Sequence, residues 1–126
     1  MKKTDIEVIE INGEKFVKES DLKNYNKAET RDGMKYCIVR AYSAGVFAGF
    51  VESRNGREVI IRDVRRIWYW AGANSLSQLA KDGTQEADSC KFAVLVDKIE
   101  VLEAIEIIEC TDVAKKSIEA VKEWKK

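Results

Sequence analysis

Residues 62–80, RDVRRIWYWAGANSLSQLA, set Arg62, Arg65 and Arg66 directly ahead of Trp68, Tyr69 and Trp70. A guanidinium is a planar fork that pairs phosphate or carboxylate through two hydrogen bonds, and an indole offers a flat face for stacking a base or a cation. The arginines are also segregated. Six of the seven fall between Arg40 and Arg66, an interval without lysine, while the rest of the chain relies on lysine. Solubility needs no such segregation, so the fork geometry of arginine matters here. Candidate ligand-binding residues are Arg40, Arg65 and Arg66 for phosphate, Trp68 and Trp70 for stacking, and Tyr42 and Ser43 as hydrogen-bond donors, with Tyr42 a further stacking surface. On a strand, Arg66, Trp68 and Trp70 share one face, with Arg65 and Ile67 on the other. The competing reading is packing: arginine spans neighbouring strands well, and at least one tryptophan belongs to a core.

Gly72, Asn74 and Ser75 extend the candidate set. They form a small-residue loop at the start of a helix, where free backbone N–H groups and the positive end of the dipole suit an anion. The pattern is not a phosphate-binding GxxxxGK[ST] loop, and the alternative is a connection in which Ser75 satisfies its own helix. Arg54 and Arg57 flank Asn55-Gly56 and read as solvent charges. Glu100, Glu103, Glu106 and Glu109 recur every third residue without making a paired-carboxylate site.

Histidine is absent, which removes the usual general base, the commonest metal ligand and every Ser-His or Cys-His arrangement. We expect no catalytic residue, no metal site and no cofactor. Cys37, Cys90 and Cys110 are odd in number with no CxxC spacing, which points to buried thiols in a reducing cytoplasm. The 22 basic and 22 acidic residues balance. That excludes generic coating of nucleic acid, which needs an excess of cations against phosphate. No run approaches the roughly 18 apolar residues of a membrane span, and MKKTDIEVIE is charged and alternating rather than a signal peptide.

Elements to position these residues follow from periodicity. A chain of 126 residues suffices for one core. Residues 1–33 read as an arm: a hairpin about Asn12-Gly13, then a polar linker ending at Asp32-Gly33. Residues 34–126 read as a compact α+β domain. KYCIVRAY, VFAGFVES, REVII and RRIWYW are four successive strands, with SAG and Asn55-Gly56 as turns and a break near Arg62-Asp63. A short helix follows, capped by Ser75 with Gln78 at capping-box spacing and ended at Gly83. KFAVLVDKI reads as one strand and residues 104–110 as another. Thr111 caps a last helix with the stripe Ala114, Ile118, Val121 and Trp124, and Lys122, Lys125 and Lys126 suit its C-terminal end. The whole is a small antiparallel sheet or partly open barrel, with a short helix after the fourth core strand and a C-terminal helix.

The strings YSAGVFAG at 42–49, ESRNGREV at 52–59, RRIWYWAGANSLSQLA at 65–80 and EAIEIIECT at 103–111 resemble a family of small, largely uncharacterised bacteriophage proteins. The resemblance spans about residues 35–124. It implies a phage accessory protein acting in the host cytoplasm, a class that includes inhibitors of bacterial immunity that sequester nucleotide signals without cleaving them. Joined to the residues above, it implies non-enzymatic binding of a small anionic nucleotide, such as a cyclic nucleotide signal of antiphage immunity, in a pocket completed across a homo-oligomer. The alternatives are a protein-interaction module that uses the same Arg-Trp surface against a host or phage protein, and a metal-dependent nucleotide hydrolase.

Overall fold

In the computed structural model, residues 8–11, 14–17 and 27–125 are described. β1 (Val8–Ile11) and β2 (Glu14–Val17) pair antiparallel with Ile11 opposite Glu14. The expected Asn12-Gly13 turn between them lies outside the described residues. The remaining strands are β3 (Lys35–Ala41), β4 (Gly45–Asn55), β5 (Glu58–Tyr69), β6 (Lys91–Phe92), β7 (Val96–Val101) and β8 (Ala104–Glu109). They form one six-stranded antiparallel open sheet in the order β6-β5-β4-β3-β8, with β7 also on β5. Helices α1 (Leu76–Asp82) and α2 (Asp112–Ala120) complete an α+β fold, as the sequence pattern implies.

Both faces of the sheet are buried, and by different means. Tyr36, Ile38, Ala48, Phe50 and Ile67 pack under the helices with Leu79, Phe92, Ala114 and Ile118. Cys37, Val39, Phe47, Val59, Ile61 and Val64 make a second core on the opposite face. Among the described residues no helix covers that second face. The sheet curls over it instead: β7 lies against β5 and β8 against β3, yet Leu102 and Glu103 alone separate the two strands. Ala104 N–H donates to Arg57 O at 2.9 Å and Tyr42 N–H to Glu103 O at 2.9 Å, stitching that turn to both sides.

The strands expected as REVII and RRIWYW are one strand, so α1 follows the third core strand rather than the fourth. The expected break is a bulge. Phe50 pairs with Arg62 and Ala48 with Arg65, which sets Asp63 and Val64 against Gly49 and leaves one extra residue on β5, and Asp63 takes φ +45°. A bulge shifts the pleat by one and moves every later side chain to the other face. Val59 and Ile61 therefore share the second core with Val64, while Arg65 and Ile67 enter the first. Gly49 sits opposite the bulge, where a Cβ would meet Arg62 O and Val64 Cα, both at 2.9 Å.

The run 91–101 follows the edge of β5 throughout but splits into β6 and β7 around 93–95, which corrects the single strand expected there. The C-terminal stripe is corrected as well. α2 stops at Ala120 with Val121 as C-cap, and Trp124 lies beyond it, its N–H donating to Phe92 O at 2.8 Å. Lys122 and Lys125 consequently follow the helix rather than belonging to its last turn.

The Gly49 contact is testable. Gly49→Ala should destabilise the domain by about 2 kcal/mol in urea unfolding, because backbone rather than a flexible side chain must give way.

Candidate functional site

Strand alternation puts the two adjacent arginines on opposite faces, the bulge at Asp63 decides which takes which, and their environments share nothing. Arg65 is 5% exposed. Its Nε donates to Ala93 O at 3.0 Å, Nη1 to Ile118 O at 3.0 Å and Val121 O at 2.8 Å, and Nη2 to Phe92 O at 3.4 Å. The guanidinium also lies 5.3 Å from the Phe92 ring centroid. Carbonyls at the C-terminal end of α2 carry the negative end of its dipole, which stabilises the cation there with no carboxylate of the described residues in direct ion-pair contact. Burial lowers the Arg65 pKa, while Tyr36 and Glu123 pull the other way. These bonds commit Arg65 to holding β5, β6 and α2 together, and the cavity of about 410 Å³ that it borders is also lined by Asp63, Glu119 and Glu123, which disfavours a phosphate there.

Arg66 faces the second core and the solvent beyond it. Its guanidinium carbon is 4.8 Å from the Phe47 ring centroid and 5.4 Å from that of Trp68, a cation between two aromatic faces. Its Nε is buried and has no hydrogen-bond partner among the described residues. Trp68 remains 60% exposed. Ser43, Phe47, Arg66, Leu102 and Glu103 line a concavity of about 260 Å³ beside this stack. Ser43 Oγ donates to Glu103 Oε1 at 2.7 Å on its rim. Tyr42, 78% exposed, sits in the β3–β4 loop at the end of the sheet where Trp68 emerges, since Val46 pairs with Ile67.

Trp70 does not join Trp68. β5 ends at Tyr69 after a register shift between Ile67 and Tyr69, so the expected alternation stops there. Trp70 packs half-buried against the helix-side core. It meets Arg40, Ser75, Leu76 and Glu106 along a groove of about 400 Å³. Arg40 Nη1 lies 3.7 Å from Glu106 Oε1, an exposed pair of small energetic weight.

The loop before α1 satisfies itself. Ser75 Oγ accepts from Gln78 N–H at 3.1 Å, and Gln78 Oε1 accepts from Asn74 N–H at 2.8 Å. Gly72 has φ +81°, and a Cβ there would meet Gln85 N and Glu86 N at 2.6 Å. The close approach that required a glycine is to the chain's own backbone, with Thr84 Oγ1 donating to Ala71 O at 2.6 Å beside it.

The ten candidates thus divide three ways. Ser43, Arg66 and Trp68 gather at one end with Tyr42 near. Arg40, Trp70 and Ser75 meet on the other face, next to Gly72 and Asn74. Arg65 lies inside. Sequence reasoning missed Phe47 and Glu103 as partners of this surface. Phe47 had a signal: counting back from the β4–β5 turn sets Phe47 opposite Arg66, because the two register shifts along that hairpin cancel.

Cys37, Cys90 and Cys110 are all buried and free. Burial, reinforced by Glu109, pushes the Cys37 thiol up to about 11, and burial reinforced by Cys37 pushes Cys110 up to about 12. Neither is a nucleophile near neutrality. Among the described residues no three cysteine or acidic side chains converge as a metal site, and no helix is long and apolar enough to cross a membrane.

The chain belongs to the family described as Domain of unknown function (DUF6948), whose sequence model matches residues 34–118. No curated protein and no solved structure matches it.

Two outcomes follow from these environments. Arg65→Met should lower unfolding free energy by about 3 kcal/mol, since it strands buried carbonyls, and Arg65→Lys should recover only part of the loss. The thiols favour the protonated fold, so their stabilisation is complete below the unfolded thiol value of about 8.5 and disappears as pH rises toward their folded values. Unfolding midpoints should fall across that alkaline window, and Cys110→Ala should flatten the decline.

Proposed function

We propose that this member of an uncharacterised family is a non-enzymatic binding module, and that its ligand is a small anionic planar molecule of the nucleotide class held at the Arg66–Trp68 end of the sheet. The observation that carries the reading is the Arg66 guanidinium, stacked between Phe47 and Trp68 with its Nε unpartnered. An orphaned buried donor is costly, and an anion that reaches it relieves that cost. Trp68 supplies an exposed face for a base, and Tyr42 and Ser43 supply hydroxyls at the rim. The phage resemblance makes a cyclic nucleotide of antiphage immunity the ligand to try first, and sequestration in the host cytoplasm its use.

A protein partner is the second reading. Tyr42, Trp68, Tyr69 and Leu102 are all large, apolar and exposed. An arginine among exposed aromatics is the composition of an interface hot spot. The metal-dependent hydrolase has less support: Glu100 and Glu103 line the concavity beside the stack, but among the described residues no three cysteine or acidic side chains converge as a metal site.

Calorimetric titration with mono-, di- and cyclic nucleotides tests the first reading. We expect binding by at least one phosphate-bearing nucleotide and its recovery intact after denaturation, with Trp68→Ala weakening it about tenfold to a hundredfold. No heat across the panel would reject the nucleotide. Capture of a protein partner lost in folded Trp68→Ala would then support the second reading.

A further inference from the structure

Among the described residues β8 is an edge strand, met on its outer side by no strand and only beyond its end by Lys27 and Ala28, which reach Thr111 and Cys110. Cys110 N–H donates to Tyr36 O at 2.9 Å, which sets the phase of the β3–β8 ladder. Alternate residues of an antiparallel pair exchange both bonds with the neighbouring strand. Ile108, opposite Ile38, and Glu106, opposite Arg40, thus bond inward to β3. Ile107 and Glu109 direct their N–H and C=O groups away from it. Among the described residues no strand pairs with that side. A long edge with exposed Ile105 and Ile107 is a template for strand addition.

The groove along this edge has about 530 Å³ and a charged far wall. Arg54, Gly56 and Arg57 from the β4–β5 hairpin face Ala104, Ile105, Glu106 and Ile107 across it. Neither Arg54 nor Arg57 has a carboxylate partner among the described residues, and Arg54 Nη1 donates to Gly56 O at 2.9 Å. The groove therefore suits an extended segment carrying both branched apolar side chains and carboxylates. β8 is such a segment: Ala104–Glu109 reads AIEIIE.

We propose that β8 pairs antiparallel with β8 of a second copy of this chain, forming a two-fold dimer with a continuous sheet. A two-fold contact must be self-complementary. Here each copy supplies the same two halves of the match. Ile105 and Ile107 of the two copies cover one another, and the carboxylates of each β8 approach Arg54 and Arg57 of the other copy's hairpin. Residues of the Arg66–Trp68 stack take no part in this pairing, so loss of nucleotide binding and loss of dimerisation are separate results.

Sedimentation across a micromolar concentration series tests the proposal. The mass should rise from the 14.3 kDa of one chain toward twice that value. Ile107→Pro removes an outward donor that β3 does not use and should give a monomer. Should that variant fail to fold, the exposed pair Arg54→Glu with Arg57→Glu provides a second route. It should weaken association at least about tenfold and reverse its salt dependence, since salt would then screen repulsion rather than attraction. Mixing it with Glu106→Arg plus Glu109→Arg should restore a heterodimer. A monomer at every concentration overturns the proposal, including a monomer that binds a synthetic acidic strand peptide at the same edge. A dimer indifferent to all of these changes overturns it too.

Discussion

The buried guanidinium of Arg65 ties together three segments that also share one hydrophobic core, β5, the β6–β7 split and the end of α2. Its four bonds reach the carbonyls of Phe92 and Ala93 at the β6–β7 split and those of Ile118 and Val121 at the end of α2. A cation in an apolar layer is costly by itself, and hydrogen bonding to four fixed carbonyl dipoles offsets that cost here. That dependence works in both directions. The carbonyls must be where the fork can reach them, so the strand edge breaks at 93–95 and α2 stops where it does. The core of Phe92, Ile118 and Val121 then closes around the stem of Arg65.

Arg65 can enter this layer because of the bulge at Asp63. Had the pleat continued from Val59 and Ile61 without the extra residue, Arg65 would lie in the second core and Arg66 under the helices. The bulge is held from several sides. Gly49 leaves room for it, and Asp63 forms an ion pair with Arg31, which itself stacks 4.6 Å from the Phe50 ring centroid. Met34 and Arg31 pair across the Asp32-Gly33 turn, bringing residues 27–34 onto the same surface. One backbone irregularity thus commits one arginine to the interior and leaves the next half-buried between Phe47 and Trp68.

Much of the fold was legible from pattern. Alternation located β3, β4 and β8, and Ser75 and Thr111 marked both helix starts because their hydroxyls accept the N–H three residues on. The site was legible only as a neighbourhood. Arg66 and Trp68 sharing a face follows from the strand period, but Trp70 leaving it follows from where β5 ends, which depends on Phe92 and Lys91 arriving from a distant segment. Arg65 was indistinguishable from its neighbour, because its acceptors are backbone carbonyls and any residue carries those. Gly72 suggested a ligand for a similar reason: a glycine needed for close approach does not say what approaches.

The central claim is this division of labour between Arg65 and Arg66, and side-chain Nε–H exchange measured by NMR tests it most directly. The account predicts an Arg65 Nε–H that is strongly protected and unchanged by added nucleotide, beside an Arg66 Nε–H whose resonance shifts on titration with the same nucleotide. An Arg65 resonance that exchanges freely, or that shifts with ligand while Arg66 does not, would contradict it.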